Sequence, residues 1–397
     1  MSLEKIESID NFKEFLDTVF IGAMDKRASD IHIEPQKDNL TIRFRIDGDL
    51  HTFYEIGAQN KENLLTRIKI LAQLKIDESR IPQDGQIVYP LNGDDVDMRV
   101  STFPIIHGEK IVIRILKKDF SLLDINQLGF LQYNLKIIKK ALKLKEGLIL
   151  VAGPTGSGKT TTLYALLNHF NPADHNISTL EDPVEYKLRG INQSHIKSEI
   201  GYTFSVGLKT LLRQDPDIIL VGEIRDKETA MLAVEASLTG HLVLGTIHAN
   251  AGIGVVERLV NMGIEPYLVA SSLKLILAQR LVKKLCTCSV QKEIEQEKIE
   301  FFQKDLGGIW DQVKNNLNLR SPVGCEECVN TGYRGRVGIH EVIPIDSDFA
   351  RLIVGGLDRR DWDRLMVEKS LISIYQDGLL KTLIGITEDK LVLAYKQ

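Results

Sequence analysis

The first third of the chain combines one stretch of helical spacing with short stretches in which apolar and polar positions alternate. Residues 11–28 place apolar side chains three or four positions apart, which predicts an amphipathic helix. Residues 40–46 alternate strictly, so one face of the predicted strand is apolar while Arg43 and Arg45 make the other face basic. This mixture of helix and alternating strands predicts a compact α+β domain over residues 1–118.

The middle of the chain follows a different pattern, in which short unbroken apolar runs are separated by helical stretches. The runs lie at residues 148–151, 218–221 and 242–244. Such runs are typical of parallel strands that are buried on both faces. We therefore predict a doubly wound α/β core, and we also predict that residues 267–285 are helical.

The change of pattern divides the chain into two predicted domains. A length of 397 residues is enough for two or three domains, each with its own core. The predicted layout is an N-terminal domain over 1–118, a linker over 119–126 and a C-terminal domain over 127–397, with an insertion at 283–330 and a helical subdomain at 345–397.

Composition and charge narrow the classes of function. The chain is 43% hydrophobic and 26% charged, and its apolar runs are far shorter than a membrane span. Fifty basic and 54 acidic side chains give a net charge of -4, so there is no bulk positive field for nucleic acid or anionic lipid, although a local basic patch stays possible. The N-terminus carries no apolar signal core, and we expect a cytoplasmic protein.

A glycine-rich loop follows the first apolar run. It consists of Gly153, Pro154, Thr155, Gly156, Ser157, Gly158, Lys159 and Thr160, followed by Thr161. This order fits the phosphate-loop pattern between a strand and a helix, in which backbone amides and the helix dipole bind phosphates. We expect Lys159 to reach the β- and γ-phosphates of a nucleotide and Thr160 to hold Mg²⁺.

Acidic residues and a histidine follow three other predicted strands. Glu223 comes two positions after the run 218–221, and Glu181 directly follows the run 177–180. Because a phosphate loop needs an acidic residue to position metal or water, both are candidate catalytic residues, and the sequence leaves their order of roles open. His248 follows the run 242–244 and is either a sensor of the γ-phosphate or a hydrogen-bonded part of the scaffold.

Four cysteines lie in two close pairs, Cys286 with Cys288 and Cys325 with Cys328. Tetrahedral Zn²⁺ is bound by four such ligands, so we predict a structural zinc site. Four cysteines without metal are the alternative. A catalytic zinc is not expected, because four protein ligands leave no open coordination position.

Several motifs together resemble one family, the secretion ATPases of type II secretion and type IV pilus assembly. The motifs are GPTGSGKT, LEDPVEY, LLRQDPDIILVGEIRD, LTGHLVLGTIHAN and AQRLVKKLC, with RASDIHIEP and MRVSTFP upstream and TGYRGRVGIHEVI and QDGLLKTLIGIT downstream. The resemblance implies a RecA-like motor domain that follows a PAS-like domain. It also implies a cytoplasmic hexamer that hydrolyses ATP with Mg²⁺ and attaches to inner-membrane platform and adaptor proteins of a secretion or pilus machine.

The resemblance further implies roles for two arginines and for the cysteines. Arg99 and Arg114 match arginines of the N-terminal domain that move onto the nucleotide, although pairing with nearby Asp95 or Asp97 is the alternative. Family members that assemble rather than retract often carry two C-x-x-C pairs, and the first pair here is one residue shorter. The chain thus resembles the assembly branch of the family.

The sequence is compatible with three functions. A motor that hydrolyses ATP to assemble pilin or pseudopilin subunits accounts for every motif. A RecA-like nucleic-acid motor would share the phosphate chemistry, but the near-neutral charge and 6% aromatic content give it no positive support. A nucleotide-binding scaffold without turnover would require the catalytic groups to be misplaced.

Overall fold

The structure is a computed structural model that describes residues 3–91, 94–116, 123–315 and 317–396. The chain divides into two units, the first made of residues 1–118 with 323–334 and the second of residues 119–322 with 335–397. Residues 119–122 of the predicted linker lie outside the described part of the chain. The predicted domain limits stay a prediction.

The first unit contains a sheet of seven strands. Its strands are β1 (Glu4–Ile6), β2 (Asp30–Pro35), β3 (Asn39–Ile46), β4 (Asp49–Gly57), β5 (Gln83–Leu91), β6 (Asp94–Ile105) and β7 (Gly108–Leu116), in the order β1-β4-β3-β2-β7-β6-β5. The helices α1 (Phe12–Asp25) and α2 (Lys61–Leu71) bury their apolar faces in the same core. In β3 every second residue is buried, with Arg43 and Arg45 on the other face, and the predicted α+β domain is confirmed.

The second unit is built on a parallel sheet. Its strands are β8 (Gly147–Ala152), β9 (Ile177–Glu181), β10 (Asn192–His195), β11 (Ile218–Val221), β12 (Leu242–Ile247), β13 (Leu273–Leu285) and β16 (Tyr333–Pro344), and a two-stranded ribbon consists of β14 (Val290–Gln291) and β15 (Arg320–Ser321). The order of the large sheet is β10-β9-β11-β12-β8-β13-β16, and the pairs from β10 to β13 are parallel. The three apolar runs of the sequence are the buried strands β8, β11 and β12, which confirms the predicted α/β core.

Helices cover both faces of this sheet and form the C-terminal part of the chain. They are α3 (Gln132–Ala141), α4 (Lys159–Leu167), α5 (Phe204–Leu211), α6 (Lys227–Leu238), α7 (Gly252–Asn261), α8 (Pro266–Ser272), α9 (Gln296–Leu306), α10 (Trp310–Val313), α11 (Ser347–Gly355), α12 (Arg359–Glu368), α13 (Ile374–Leu383) and α14 (Asp389–Val392). Two apolar clusters, one on each face of the sheet, form its core. Among the described residues, no helix is both long enough and apolar enough to span a membrane.

The prediction of a helix over residues 267–285 is wrong for most of that segment. Only its beginning belongs to α8, and from Leu273 onwards the chain forms β13, a strand of 13 residues. The apolar positions of the segment fit the helical and the extended period about equally well. Parallel pairing of Leu273 to Ala278 with β8 favours the strand, because it places this apolar run between β8 and β16, where it is largely buried.

The carboxyl ends of four parallel strands lie at one edge of the sheet. β8 ends before the glycine-rich loop, β9 ends at Glu181, β11 ends two residues before Glu223, and β12 ends directly before His248. Ligand sites in open α/β sheets form at this edge, because the loops after neighbouring strands meet there. The sheet thus gathers the candidate residues of the second unit.

Candidate nucleotide-binding site

The glycine-rich loop joins β8 to α4 in a conformation that requires glycine. Gly156 and Gly158 have φ angles of 78° and 87°, and Gly158 is the residue that caps α4. A Cβ atom on Gly153 would lie 2.3 Å from Ser157 Oγ and 2.7 Å from the carbonyl oxygen of Gln279. The loop therefore keeps its backbone open at the N-terminus of α4, where amide groups and the helix dipole favour a phosphate.

Lys159 lies across this loop. Its ammonium group donates hydrogen bonds to the carbonyl oxygens of Gly153 at 2.9 Å and Pro154 at 3.1 Å. Burial and the charge of Arg280 lower the pKa of Lys159, whereas the nearby Glu223 carboxylate opposes this shift. The Lys159 side chain is thus held against the backbone carbonyls at the start of the loop. Thr160, in the first turn of α4, is exposed and can offer its hydroxyl to Mg²⁺.

Glu223 is the carboxylate that the structure brings to Lys159. Its Oε2 lies 2.6 Å from an Arg225 nitrogen, and its Oε1 lies 2.8 Å from His248 Nε2. Burial raises the pKa of Glu223, but the hydrogen bond from Arg225 and the charges of His248 and Lys159 outweigh burial, so the net shift is downward. Glu223 is therefore ionised at neutral pH and lies in a cationic environment beside the phosphate loop.

Glu181 lies at the end of β9, where it is only 3% exposed. Its Oε1 accepts hydrogen bonds from Thr179 Oγ1 at 2.6 Å and from Gln193 Nε2 at 3.1 Å, and its Oε2 accepts a hydrogen bond from the hydroxyl group of Tyr164 on α4. Burial, followed by this hydrogen bond, raises the pKa of the Tyr164 hydroxyl. Protein donors thus occupy both oxygens of Glu181, and its carboxylate links β9, β10 and α4.

His248 begins a short loop, residues 248–251, that leads from β12 into α7. Asn250 lies in the middle of this loop. An Arg280 nitrogen donates to the Asn250 backbone carbonyl at 2.9 Å and to its side-chain oxygen at 3.1 Å. The second nitrogen of Arg280 donates to the Gln279 carbonyl at 2.9 Å. The His248 loop is therefore tied to β13, beside the phosphate loop.

Sequence reasoning missed Gln279, which supports the phosphate loop from β13. Its side chain is 2% exposed, donates to the carbonyl oxygen of Ser157 at 2.6 Å and accepts from Thr162 Oγ1 at 2.8 Å. A buried amide with both ends bonded holds the loop and the first turn of α4 together. Gln279 lies in the motif AQRLVKKLC of the family resemblance, but the prediction of a helix over 267–285 gave no indication that its side chain contacts the phosphate loop.

Arg99 and Arg114 belong to the first unit, where they face each other across β6 and β7. Arg114 is exposed, and its Nε lies 3.0 Å from an oxygen of Asp30. Its partner is thus Asp30 on β2 rather than the two aspartates considered from the sequence. Arg99 is partly buried. The structure therefore places a pair of arginines on the polar face of this sheet.

The four predicted zinc ligands lie close together. The Sγ atoms of Cys286, Cys288, Cys325 and Cys328 are all within 4.8 Å of one another. Tetrahedral zinc with Zn–S bonds of about 2.3 Å requires sulfur atoms about 3.8 Å apart, and the Cys325 and Cys328 sulfurs are 3.7 Å apart. Backbone amides of Cys325 and Gly332 also approach Cys328 Sγ at 3.1 and 3.2 Å, which favours a thiolate there. The set fits a structural zinc ion.

Comparison with known proteins gives matches over nearly the whole chain. The family model of type II/IV secretion system proteins matches residues 6–394. Type II secretion system protein E of Dickeya dadantii is 45% identical over 373 residues, which are 94% of this chain and 73% of that protein. The type IV pilus assembly ATPase PilB of Myxococcus xanthus is 42% identical over 395 residues, which are 97% of this chain and 69% of PilB. The X-ray structure of the Legionella pneumophila ATPase DotB, at 19% identity, shares the fold with a TM-score of 0.71 and covers 99% of each chain.

Proposed function

Because the chain belongs to the family of type II/IV secretion system proteins, we propose that it works as a hexameric motor in which Glu223 and His248 act on the γ-phosphate of ATP. The chain is an ATP-hydrolysing motor of type II secretion or type IV pilus assembly, the activity of its relatives. The family resemblance carried by its motifs is confirmed. We propose the roles of the individual residues, the assembly of a ring and the attachment to partner proteins.

The proposed residue roles are based on the contacts of Glu223. The carboxylate lies between Arg225 and His248, and its charge acts on Lys159. In the proposal, Lys159 leaves the carbonyl oxygens of the loop and binds the β- and γ-phosphates, while Thr160 takes part in binding Mg²⁺. When held by Thr160, Mg²⁺ would neutralise charge on the phosphate oxygens. Glu223 then accepts a hydrogen bond from the attacking water and orients it, with His248 holding the carboxylate in place.

Glu181 has a different position in this proposal. Its two oxygens accept from Tyr164, Thr179 and Gln193, so it has less freedom than Glu223 to reach a ligand. The contact with Tyr164 on α4 favours a role in positioning the helix that follows the phosphate loop. A direct catalytic role for Glu181 stays a prediction.

The proposal extends to the arginines of the first unit and to the assembly. Arg99 and Arg114 close over the γ-phosphate, where a guanidinium stabilises charge in the transition state. Phosphate release then reopens the domains about the linker at 119–126, and this movement passes around a ring of six subunits. The motor works at the cytoplasmic side of the inner membrane, where it is attached through platform and adaptor proteins of the secretion or pilus machine.

The first test is the rate of Mg-ATP hydrolysis per subunit over a wide range of protein concentration. We expect the rate to rise with concentration, because a ring motor completes its site on assembly. Glu223→Gln should lower kcat by about 10²- to 10⁴-fold and leave nucleotide binding intact. Glu228→Gln is the matched control, because Glu228 is an exposed carboxylate on α6 that is paired with Lys209, and it should hydrolyse ATP at the native rate.

The outcomes separate the parts of the proposal. A native rate in Glu223→Gln would remove Glu223 from the mechanism, and a rate independent of concentration would contradict completion by assembly. Arg99→Ala and Arg114→Ala should each lower kcat by about 10³-fold or more. If both hydrolyse ATP at the native rate, the arginine step is wrong. Absence of turnover at every concentration would favour the nucleotide-binding scaffold.

A further inference from the structure

Glu341 is a buried carboxylate that has no part in the proposed hydrolysis. It lies on β16, is 7% exposed, and accepts a hydrogen bond from the backbone amide of Gly252 at 2.6 Å. The backbone amide of Ile374 also favours the ionised form of Glu341 and lowers its pKa, as the Gly252 amide does. Burial outweighs both amides and raises the pKa of Glu341. A carboxylate at such a site is unfavourable unless its contacts compensate for lost water, so its two amide partners need an explanation.

Both partners of Glu341 are the first residues of helices. Gly252 begins α7 and Ile374 begins α13, and each helix has ten residues. The first amides of a helix have no partner within the helix, and the dipole favours a negative charge there. A hydrogen bond to Glu341 therefore joins the N-terminus of α7 to β16, and the first amide of α13 acts electrostatically on the same carboxylate. The contact is tight, because a Cβ atom on Gly252 would lie 2.7 Å from Glu341 Oε1 and 2.3 Å from Ile343 Cδ1.

The N-terminus of α7 is also the end of the His248 loop. That loop is held at three points along only five residues. His248 meets Glu223 at 2.8 Å, Asn250 accepts two hydrogen bonds from Arg280, and Gly252 donates to Glu341. Because the segment is so short, we expect a shift at Gly252 to be transmitted through Asn250 to His248. Release of Gly252 would therefore move His248 relative to Glu223.

We propose that Glu341 is a positioning residue of the ATPase site, which fixes the start of α7 so that His248 stays against Glu223. The proposal rests on the role proposed above for Glu223 and His248. Glu341 acts through the backbone amide of Gly252, and its charge also acts on Arg280, which holds Asn250 in the same loop. Its loss should therefore alter the chemical step rather than nucleotide binding, since Lys159 and the phosphate loop are held by other contacts.

The test is a double-mutant cycle in the full chain. Glu341→Gln keeps the shape of the side chain and removes its charge, and His248→Ala removes the group through which Glu341 is proposed to act. We expect Glu341→Gln to lower kcat by about tenfold to a hundredfold, because small misplacements of catalytic groups have effects of this size. The KM for ATP should stay within about twofold of the native value. In the His248→Ala background, Glu341→Gln should change kcat by less than about twofold.

Controls separate positioning from a general loss of structure. Glu257→Gln removes an exposed carboxylate from the same helix α7 and should leave kcat and KM unchanged. Glu341→Asp keeps the charge but shortens the side chain by one methylene. It should also lower kcat, and it replaces Glu341→Gln in the cycle if the latter does not fold.

Each outcome of the cycle supports or contradicts one claim. If His248→Ala hydrolyses ATP at the native rate, the proposed function of His248 is wrong, whatever Glu341 does. If His248→Ala is impaired and Glu341→Gln is native, Glu341 has no positioning role. The same conclusion follows if the two losses multiply, because residues that act independently have additive free energies.

Discussion

Replacing Lys381 by methionine should strongly destabilise the second unit. Lys381 and Asp377 lie one turn apart on α13 and form an ion pair whose side chains are 1% and 0% exposed. The ammonium group also donates to the carbonyl oxygen of Gly338, and the same Asp377 oxygen accepts from the His340 amide at 3.0 Å. The pair therefore links α13 to β16 in a place that water does not reach.

The magnitude follows from what Lys381→Met leaves behind. Methionine fills the space of the lysine stem but removes the charge, so Asp377 keeps one backbone donor in an apolar environment. Burial already raises the pKa of Asp377, and its pairing with Lys381 opposes that shift. Breaking one partner of a buried pair typically destabilises a protein by about 3–5 kcal/mol, against a total of about 5–15 kcal/mol. Asp377→Asn combined with Lys381→Met removes both charges and should be less than half as destabilising.

The assay is denaturation by guanidinium followed by tryptophan fluorescence. The two tryptophans of the chain, Trp310 and Trp362, both belong to the second unit, so the signal reports on that unit. Lys209→Met breaks the exposed pair with Glu228, whose side chains are 52% and 56% exposed, and should leave the free energy of unfolding close to the native value. The reasoning is refuted if Lys381→Met costs less than about 1 kcal/mol, or if the double variant is as unstable as the single one.

Two further predictions concern protonation and metal. Burial and the charge of Lys381 hold the pKa of His340 well below 6.5, so only the unfolded chain gains this proton as the pH falls below about 6.5. Protonation of His340 in the unfolded chain should therefore lower the free energy of unfolding by up to about 1.4 kcal/mol for each pH unit below this point. His340→Gln should show a smaller dependence of the free energy of unfolding on pH, and an equal dependence in the two proteins would contradict this explanation. Metal analysis should find about one zinc per chain, and Cys325→Ser with Cys328→Ser should remove it. An unchanged zinc content in that variant would mean that the metal is bound at another site.

The sequence predicts most of the fold because its local patterns are strong. The strands β8, β11 and β12 have too few polar residues to be anything but buried, and the glycines before Lys159 specify the loop directly. The prediction failed at β13, where local spacing allowed either a helix or a strand. There the partner strand decides, and that partner, β8, lies more than a hundred residues earlier in the chain.

The supporting residues of the site could not be found in this way. Gln279 reaches Thr162 and the Ser157 carbonyl across 117 and 122 residues, and Glu341 reaches Gly252 across 89 residues. Two of these three partners are backbone atoms, which every residue type carries. The residue types in the sequence therefore give no indication of these contacts. Candidate ligands of the nucleotide are predictable because their chemistry requires a side chain, whereas the residues that hold the loops are not.

β16 and α13 interact through a carboxylate on each element. Variants at these two carboxylates and at Lys381 distinguish an effect on stability from an effect on kcat. The amide of Ile374 at the start of α13 favours the ionised form of Glu341 on β16, while the side chain of Asp377 on α13 accepts a hydrogen bond from the amide of His340 on β16. Only Glu341 also holds α7, which follows the His248 loop. Loss of Lys381 should therefore weaken the junction without releasing that loop, and loss of Glu341 should release it. Stability and kcat then respond to different variants of the same junction.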